Sequence, residues 1–117
     1  MKILITGVAG FIGFHLARLL LKNNYSIVGL DNLNDYYDVS LKASRLDILN
    51  NLGLVFYKAD ISNNKELRKI FIQEEPQFVI NLAAQAGIRH SLDNPYSYVN
   101  SNILGFFNII EACKEFK

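Results

Sequence analysis

Short apolar runs alternate along the chain with longer stretches in which apolar residues recur at helical spacing. The short runs predict four strands, at residues 2–6, 26–30, 54–57 and 78–82. The helical spacing predicts helices at residues 11–23, 40–50, 65–74 and 95–116. Because strands and helices alternate, we expect right-handed crossover units, which give a parallel sheet with helices on both faces. The predicted fold class is therefore α/β, with a doubly wound parallel sheet.

The length of 117 residues suits one domain or part of one. A complete dinucleotide-binding sheet has about six strands, whereas the pattern supplies four and ends on a helix. We therefore expect residues 1–117 to form the N-terminal part of a dinucleotide-binding domain of the Rossmann type, with an incomplete sheet.

A glycine-rich loop directly follows the first predicted strand. Gly7, Gly10 and Gly13 are spaced three residues apart, and the loop leads into the first predicted helix. Glycine permits a tight turn and a close approach of the backbone to a pyrophosphate, while free N–H groups at a helix start attract its charge. Gly13 would let the helix pack closely on the strand. A glycine-rich turn without a ligand is the alternative, but the order of strand, loop and helix favours dinucleotide binding.

Two aspartates stand at the ends of predicted strands. Asp31 closes the second strand, close to where an acid is expected to hold the ribose hydroxyls of NAD. Its charge would repel the 2′-phosphate of NADP, and no lysine or arginine follows before Lys42, so the sequence favours NAD. An ordinary strand-end turn is the alternative role for Asp31. Asp60 follows the third strand, where it could reach the adenine edge, and a turn or helix N-terminal role fits it equally well.

Composition and charge argue against several classes of protein. Half of the residues are apolar, which suits a folded domain, and the net charge of +1 gives no sign of binding to nucleic acid or to an anionic membrane. No apolar run approaches the ~20 residues that span a bilayer. Cys113 is the only cysteine and fits a reducing compartment, so we expect the cytoplasm. His15 and His90 lack the neighbouring ligands typical of zinc, so no metal is expected.

The glycine loop also carries a resemblance to a known family. The segment Thr6-Gly7-Val8-Ala9-Gly10-Phe11-Ile12-Gly13 resembles the Thr-Gly-x-x-Gly-Phe-Ile-Gly loop of the extended short-chain dehydrogenase/reductase family. Residues 29–38 and 81–89 are similar to segments of bacterial UDP-glucuronate 4-epimerases. The resemblance implies NAD as the cofactor and a UDP-sugar as the substrate. Two positions depart from the family pattern, because Asn81 stands where many relatives have His, and His90 where the epimerase segment usually has Tyr.

The resemblance implies roles for individual residues in and around the cofactor site. The glycine loop, including Phe11 and Ile12, would hold the dinucleotide. The other cofactor contacts implied are Asp31 and Asn32 at the adenosine ribose, Asp60 and Ile61 at adenine, Leu82, Ala83 and Ala84 along the dinucleotide, and Ser101 at the nicotinamide ribose. Asn102, in the family's Asn-x-x-Gly motif, would support the catalytic centre, although its pattern alone suits an exposed polar helix residue. Gln85 and Arg89 could contact the substrate, and a solvated arginine is an equal alternative.

One part of the family's active site is missing from the sequence. The chemistry requires a Tyr-x-x-x-Lys pair, in which tyrosine is the base on the sugar hydroxyl and lysine lowers its pKa. None of the six tyrosines has lysine four positions later, so we expect this pair and the substrate domain beyond residue 117, and no activity from residues 1–117 alone.

The resemblance implies that the full-length enzyme interconverts UDP-glucuronate and UDP-galacturonate through a 4-keto intermediate. UDP-glucose 4-epimerase, UDP-glucuronate decarboxylase and nucleotide-sugar dehydratase activities stay open, as does a non-catalytic NAD-binding module. A homodimer is compatible with the apolar Phe106, Phe107 and Ile110 of the last predicted helix, which core packing explains equally well.

Overall fold

The computed structural model describes residues 1–33, 39–83 and 95–116, excluding the side chains of Val39, Ser97, Tyr98, Asn100 and Ser101. The strands are β1 (Lys2–Thr6), β2 (Ser26–Asp31), β3 (Val55–Lys58) and β4 (Phe78–Asn81). The α-helices are α1 (Phe11–Lys22), α2 (Val39–Asn51), α3 (Asn64–Glu74), α4 (Pro95–Tyr98) and α5 (Gly105–Phe116), and a π-helical segment at Val99–Leu104 joins the last two.

The four strands form one parallel sheet in the order β3-β2-β1-β4. The chain adds β2 and β3 on one side of β1 and then crosses to add β4 on the other side. In open α/β sheets, ligands bind outside the carboxyl ends of the strands where the strand order reverses in this way. Thr6 at the end of β1 is level with Leu30 of β2 and Asn81 of β4, so the loops after these three strands share one edge.

Alternate side chains of the strands fill two cores, one on each face of the sheet. Ile3 and Ile5 of β1 pack on one face with residues of α1 and α2. Leu4 packs on the other face with Leu67 of α3 and Ile109 of α5. Successive residues of a strand point to opposite faces, so a central strand buried on both faces needs a nearly continuous apolar run. The predicted α/β class and doubly wound arrangement are confirmed.

Polar residues set the ends of α1 and α3. The N–H of Asn23 donates to carbonyls in the last turn of α1, and Asn24 has a left-handed φ of 68°. The helix predicted at residues 11–23 is therefore confirmed, and it ends one residue earlier, at Lys22. The side-chain oxygen of Asn63 accepts the N–H of Glu66 at 3.2 Å, so α3 begins one residue before its predicted start. Glu75 ends α3 in the left-handed conformation.

The last helical stretch differs from its prediction. The sequence predicts one helix at residues 95–116, whereas α4 and α5 are separated by the π-helical segment. Apolar periodicity does not register a local change from i→i+4 to i→i+5 hydrogen bonding. Asn102 lies within this segment. Wider turns of this kind occur frequently at functional sites.

Candidate dinucleotide-binding site

The glycine loop joins β1 to α1 at the carboxyl edge of the sheet. Gly10 is the N-cap residue of α1 and offers no side-chain oxygen to the first turn. Its own N–H donates to the Gly7 carbonyl at 3.0 Å and closes the turn. Because the first N–H groups of an α-helix have no intrahelical acceptor, the start of α1 presents backbone donors and the positive end of a helix dipole to an anion.

Packing on neighbouring backbone explains why two positions of the loop are glycine. Gly7 has a φ of +68°, and a Cβ there would lie 2.7 Å from the carbonyl carbon and oxygen of Leu82. A Cβ on Gly13 would lie 2.1 Å from the Gly7 carbonyl oxygen. The helix therefore packs closely at Gly13, as the sequence predicts, but on the backbone of the loop rather than on the strand. A Cβ on Gly10 would lie 3.2 Å from the same oxygen, so packing constrains this residue least of the three.

Asp31 ends β2 beside the loop, and its carboxylate is buried. Oδ2 accepts the backbone N–H of Ala9 at 3.0 Å, while Oδ1 accepts the N–H of Leu33 at 2.8 Å. Asp31 therefore holds the glycine loop in place as well as ending the strand. Each carboxylate oxygen has two acceptor sites, so ribose hydroxyls can add to these bonds. Asn32, the other residue expected at the ribose, follows it and is half-buried.

Two basic residues of α2 complete this part of the site, and the sequence pattern marked neither as a site residue. The Lys42 ammonium lies 3.6 Å from Oδ1 of Asp31, and the two side chains are only 7% and 5% exposed. Arg45 donates from Nη1 to the Ala9 carbonyl at 3.0 Å, and its guanidinium lies 6.0 Å from the centre of the Phe14 ring. Separation along the chain hides these contacts. The available signal is the three-residue spacing of Lys42 and Arg45, which places both on one face of a helix.

A buried hydroxyl joins the end of β1 to the segment after β4. The Thr6 hydroxyl oxygen accepts the N–H groups of Leu82 and Ala83 at 3.0 and 3.1 Å, and the hydroxyl donates to Oδ1 of Asn81. Thr6 is fully buried, so these bonds are shielded from water. Leu82 and Ala83 are thereby fixed at the carboxyl edge of the sheet, on the side of β1 away from Asp31. Asn81, a departure from the family pattern, serves here as an acceptor.

The segment after β3 is held by its own turn and by α5. Asp60 accepts the N–H and the hydroxyl of Ser62 at 2.9 and 2.7 Å. This is the turn role that the sequence left open, and a contact with adenine stays a prediction. Ile61 is buried, and its carbonyl accepts Nδ2 of Asn108 at 2.9 Å. The buried Asn108 attaches the expected adenine side of the site to α5, and no sequence motif singled it out.

The other predicted site residues are exposed or lie outside the described structure. Phe11 and Ile12 at the start of α1 are 67% and 65% exposed, so they are accessible to a ligand. Asn102 is exposed on the π-helical segment. Outside the described residues lie Ala84, Gln85, Arg89 and the side chain of Ser101.

The described residues whose pKa is clearly shifted lie outside the glycine loop. Glu74 of α3 accepts hydrogen bonds from the Tyr57 hydroxyl and from the Lys2 ammonium, the second at 3.0 Å. The Tyr57 hydrogen bond, with help from Lys2, holds the pKa of Glu74 below its ordinary value, and the same hydrogen bond raises the pKa of Tyr57. Burial raises the pKa of the Cys113 thiol, which disfavours the reactive thiolate form.

Metal-binding side-chain clusters and membrane-spanning helices are absent from residues 1–33, 39–83 and 95–116. In these ranges, no group of three or more His, Cys, Asp or Glu side chains is placed to hold a metal ion. The helices of the same ranges are too short or too polar to cross a bilayer.

Known proteins match the chain over almost its whole length. A family model described as GDP-mannose 4,6 dehydratase matches residues 4–117. Protein CapI of Staphylococcus aureus is 51% identical over 116 residues, and a UDP-glucuronate 4-epimerase of Thermodesulfobacterium geofontis is 49% identical over 114 residues. These alignments cover 99% and 97% of this chain but 35% of each relative. The chain thus spans about a third of the length of these relatives.

Solved structures agree with this relationship. The crystal structure of UDP-glucuronic acid 4-epimerase from Bacillus cereus, in complex with UDP-glucuronic acid and NAD, superposes with a TM-score of 0.90 at 38% identity and covers 100% of this chain and 37% of its own. A UDP-glucose 4-epimerase of Thermus thermophilus, in complex with NAD, superposes with a TM-score of 0.84 at 30% identity, with 99% and 34% covered.

Proposed function

The chain belongs to the GDP-mannose 4,6-dehydratase family, and on this premise we propose that its crevice binds NAD and that the full-length protein is a nucleotide-sugar 4-epimerase. The reaction proposed is the interconversion of UDP-glucuronate and UDP-galacturonate through a 4-keto sugar. The name of the Thermodesulfobacterium geofontis relative and the ligands of the Bacillus cereus structure support this choice.

One observation carries the proposal for the cofactor. The uncapped start of α1 and the buried carboxylate of Asp31 meet at Ala9, whose N–H binds that carboxylate. Backbone donors and a positive helix dipole suit a pyrophosphate, whereas an ionised carboxylate accepts hydrogen bonds from a ribose diol. A dinucleotide requires both recognition elements side by side at the switch point of the sheet. The residues present therefore fit NAD.

The remaining residues are proposed to bind the rest of the dinucleotide and the sugar. Proposed cofactor contacts besides Gly7, Gly10, Gly13 and Asp31 are Phe11, Ile12, Asn32, Asp60, Ile61, Leu82, Ala83, Ala84 and Ser101. Asn102 is proposed to support the catalytic centre from the π-helical segment, and Gln85 and Arg89 to contact the substrate. The positions of Leu82 and Ala83 support their assignment as cofactor contacts, because Thr6 fixes their backbone at the carboxyl edge of the sheet.

The chemical step is proposed to use groups that residues 1–117 do not contain. We propose these residues as the N-terminal part of the dinucleotide-binding domain, with the Tyr-x-x-x-Lys base and the sugar-nucleotide domain elsewhere in the full-length protein. When bound, NAD supplies the acceptor for the hydride that leaves C4 of the sugar. The oxidised cofactor is regenerated when that hydride returns to the 4-keto sugar. The described residues would bind and orient the dinucleotide.

Incubation of the full-length protein with UDP-glucuronate, without added reductant, tests the proposal. Chromatography with mass detection should reveal a new product of unchanged mass, and acid extraction should release NAD from the protein. A product lighter by carbon dioxide would change the assigned activity to a decarboxylase. A product lighter by water would change it to a dehydratase. Parallel incubation with UDP-glucose distinguishes the UDP-glucose 4-epimerase. Bound NAD with no reaction on either sugar would favour a non-catalytic NAD-binding module.

A cytoplasmic location and a homodimer complete the proposal. The single thiol of Cys113 suits a reducing compartment. Phe106, Phe107 and Ile110 are 51%, 56% and 43% exposed, so core packing within the described residues does not account for them, and they suit contact with a further surface. Sedimentation of the full-length protein at twice the monomer mass would support the dimer, whereas a monomer would exclude it.

A further inference from the structure

The buried ion pair of Lys42 and Asp31 leads beyond the proposed cofactor site. We propose that Lys42 is a specificity-determining residue that sets the discrimination between NAD and NADP. It would do so by offsetting the charge of the Asp31 carboxylate beside the 2′ position of the ribose, which lessens the repulsion of a 2′-phosphate. This inference rests on the proposed binding of NAD at Asp31.

The contacts of Asp31 show how Lys42 would act. The ammonium lies 3.6 Å from Oδ1, the oxygen that also accepts the Leu33 N–H at 2.8 Å. Oδ2 is turned towards the N–H of Ala9 in the glycine loop. One backbone N–H on each oxygen fixes the plane of the carboxylate, and the ammonium lies beside Oδ1 as its ion-pair partner. With side chains 7% and 5% exposed, the pair is screened by water and salt much less than a surface pair.

NAD and NADP should respond differently to the ammonium. A 2′-phosphate carries nearly two negative charges above pH 7, whereas the 2′-hydroxyl of NAD carries none. Replacing Lys42 with methionine removes one positive charge next to Asp31, whatever other groups the lysine contacts. For charges separated by several ångströms, at an effective dielectric between those of a protein surface and water, NADP binding should weaken on the order of tenfold more than NAD binding.

Isothermal titration with NAD and NADP at about pH 8 tests the proposal on the full-length protein freed of bound nucleotide. The variants are Lys42→Met, Lys42→Arg and Lys22→Met. Lys42→Met should raise the ratio of the NADP Kd to the NAD Kd on the order of tenfold. Lys42→Arg keeps the charge and should leave the ratio within about threefold of the original. Lys22→Met, which removes an exposed charge at the far end of α1, should leave it unchanged.

A second pair of variants keeps the test decisive if NADP binds too weakly or Lys42→Met does not fold. Asp31→Asn removes the carboxylate and should strengthen NADP binding to a measurable level. The double variant Asp31→Asn/Lys42→Met buries neither charge, which avoids an unpaired buried ion. We expect it to lose most of the NADP affinity that Asp31→Asn gains.

The outcomes separate this inference from the proposed function. Equal weakening of NAD and NADP by Lys42→Met would assign Lys42 a structural role only and overturn the proposal. So would undiminished NADP affinity in the double variant. If the unsubstituted protein binds neither nucleotide, the proposed NAD site itself fails.

Discussion

Replacing Gly13 with alanine places one methyl group where α1 meets the glycine loop. The added Cβ would lie 2.1 Å from the Gly7 carbonyl oxygen, 2.9 Å from its carbonyl carbon and 3.1 Å from Cα of Val8. All three are backbone atoms, so no side-chain rotation relieves the contact. The start of α1 must move away from the loop.

The magnitude follows from two opposing effects. Overpacking a well-packed site costs about 1–3 kcal/mol, whereas alanine is favoured over glycine within a helix by roughly 0.5–1 kcal/mol. Because the contact is with backbone and very short, we expect Gly13→Ala to lower the free energy of unfolding by about 2 kcal/mol net. Gly10→Ala is the matched control, since its Cβ would meet the same oxygen at 3.2 Å and should therefore cost less than Gly13→Ala.

Urea unfolding followed by circular dichroism measures both variants without any ligand. The dependence on urea concentration should be unchanged, so that midpoints report stability directly. If Gly13→Ala is as stable as Gly10→Ala, the close approach of α1 to the loop does not exist in solution. If the expected order holds, Gly13→Ala should also weaken NAD binding, because the displaced N–H groups no longer converge on the pyrophosphate.

Three further substitutions test other contacts. Thr6→Val removes the acceptor of the Ala83 N–H and should cost about 1–3 kcal/mol; unchanged amide exchange at Ala83 would contradict it. Asn63→Ala removes the α3 cap and should cost about 1 kcal/mol, whereas Asn64→Ala, at the exposed next position, should cost little in the same thermal melts; equal losses would argue against the cap. The pKa of Glu74 is held below its ordinary 4.5 in the folded state, so its stabilising effect is complete above that value and is lost as the pH falls through the folded-state pKa. The stability difference between Glu74→Gln and the unsubstituted protein should therefore shrink from about pH 6 to about pH 3, and a constant difference would refute this.

The strands could be predicted because burial on both faces leaves a continuous apolar signal. Their ends could not be predicted to the residue, because pairing with the neighbouring strand decides them. Asp31 is level with Lys58, so β2 includes the acid that the pattern places just after the strand. By the same pairing, β3 begins at Val55 rather than one residue earlier. The pattern of apolar residues indicates which positions are buried. It does not indicate where the hydrogen bonds between two strands end.

The glycine loop could be predicted because its requirements are local. The ion pair of Lys42, the bond of Arg45 to Ala9 and the bond of Asn108 to Ile61 could not, because they join elements far apart in the chain. Which residues of α2 or α5 reach a loop depends on the angle at which each helix crosses the sheet. Nothing in the spacing of apolar residues specifies that angle. The π-helical segment could not be predicted either, because the spacing of Val99 and Ile103 in the sequence suits an α-helix equally well.

The polar side chains of the candidate site bind backbone of other segments more than they bind one another. Thr6 holds the segment after β4, Asp31 holds the glycine loop, and Asn108 holds the segment after β3. The glycine loop and the described residues that follow β3 and β4 are therefore each fixed by a side chain from another element, and all three side chains are buried. These described segments are ordered when the protein folds, so ligand binding need not supply that ordering. Substitution of Thr6 or Asn108 should then weaken cofactor binding even where neither side chain contacts the cofactor.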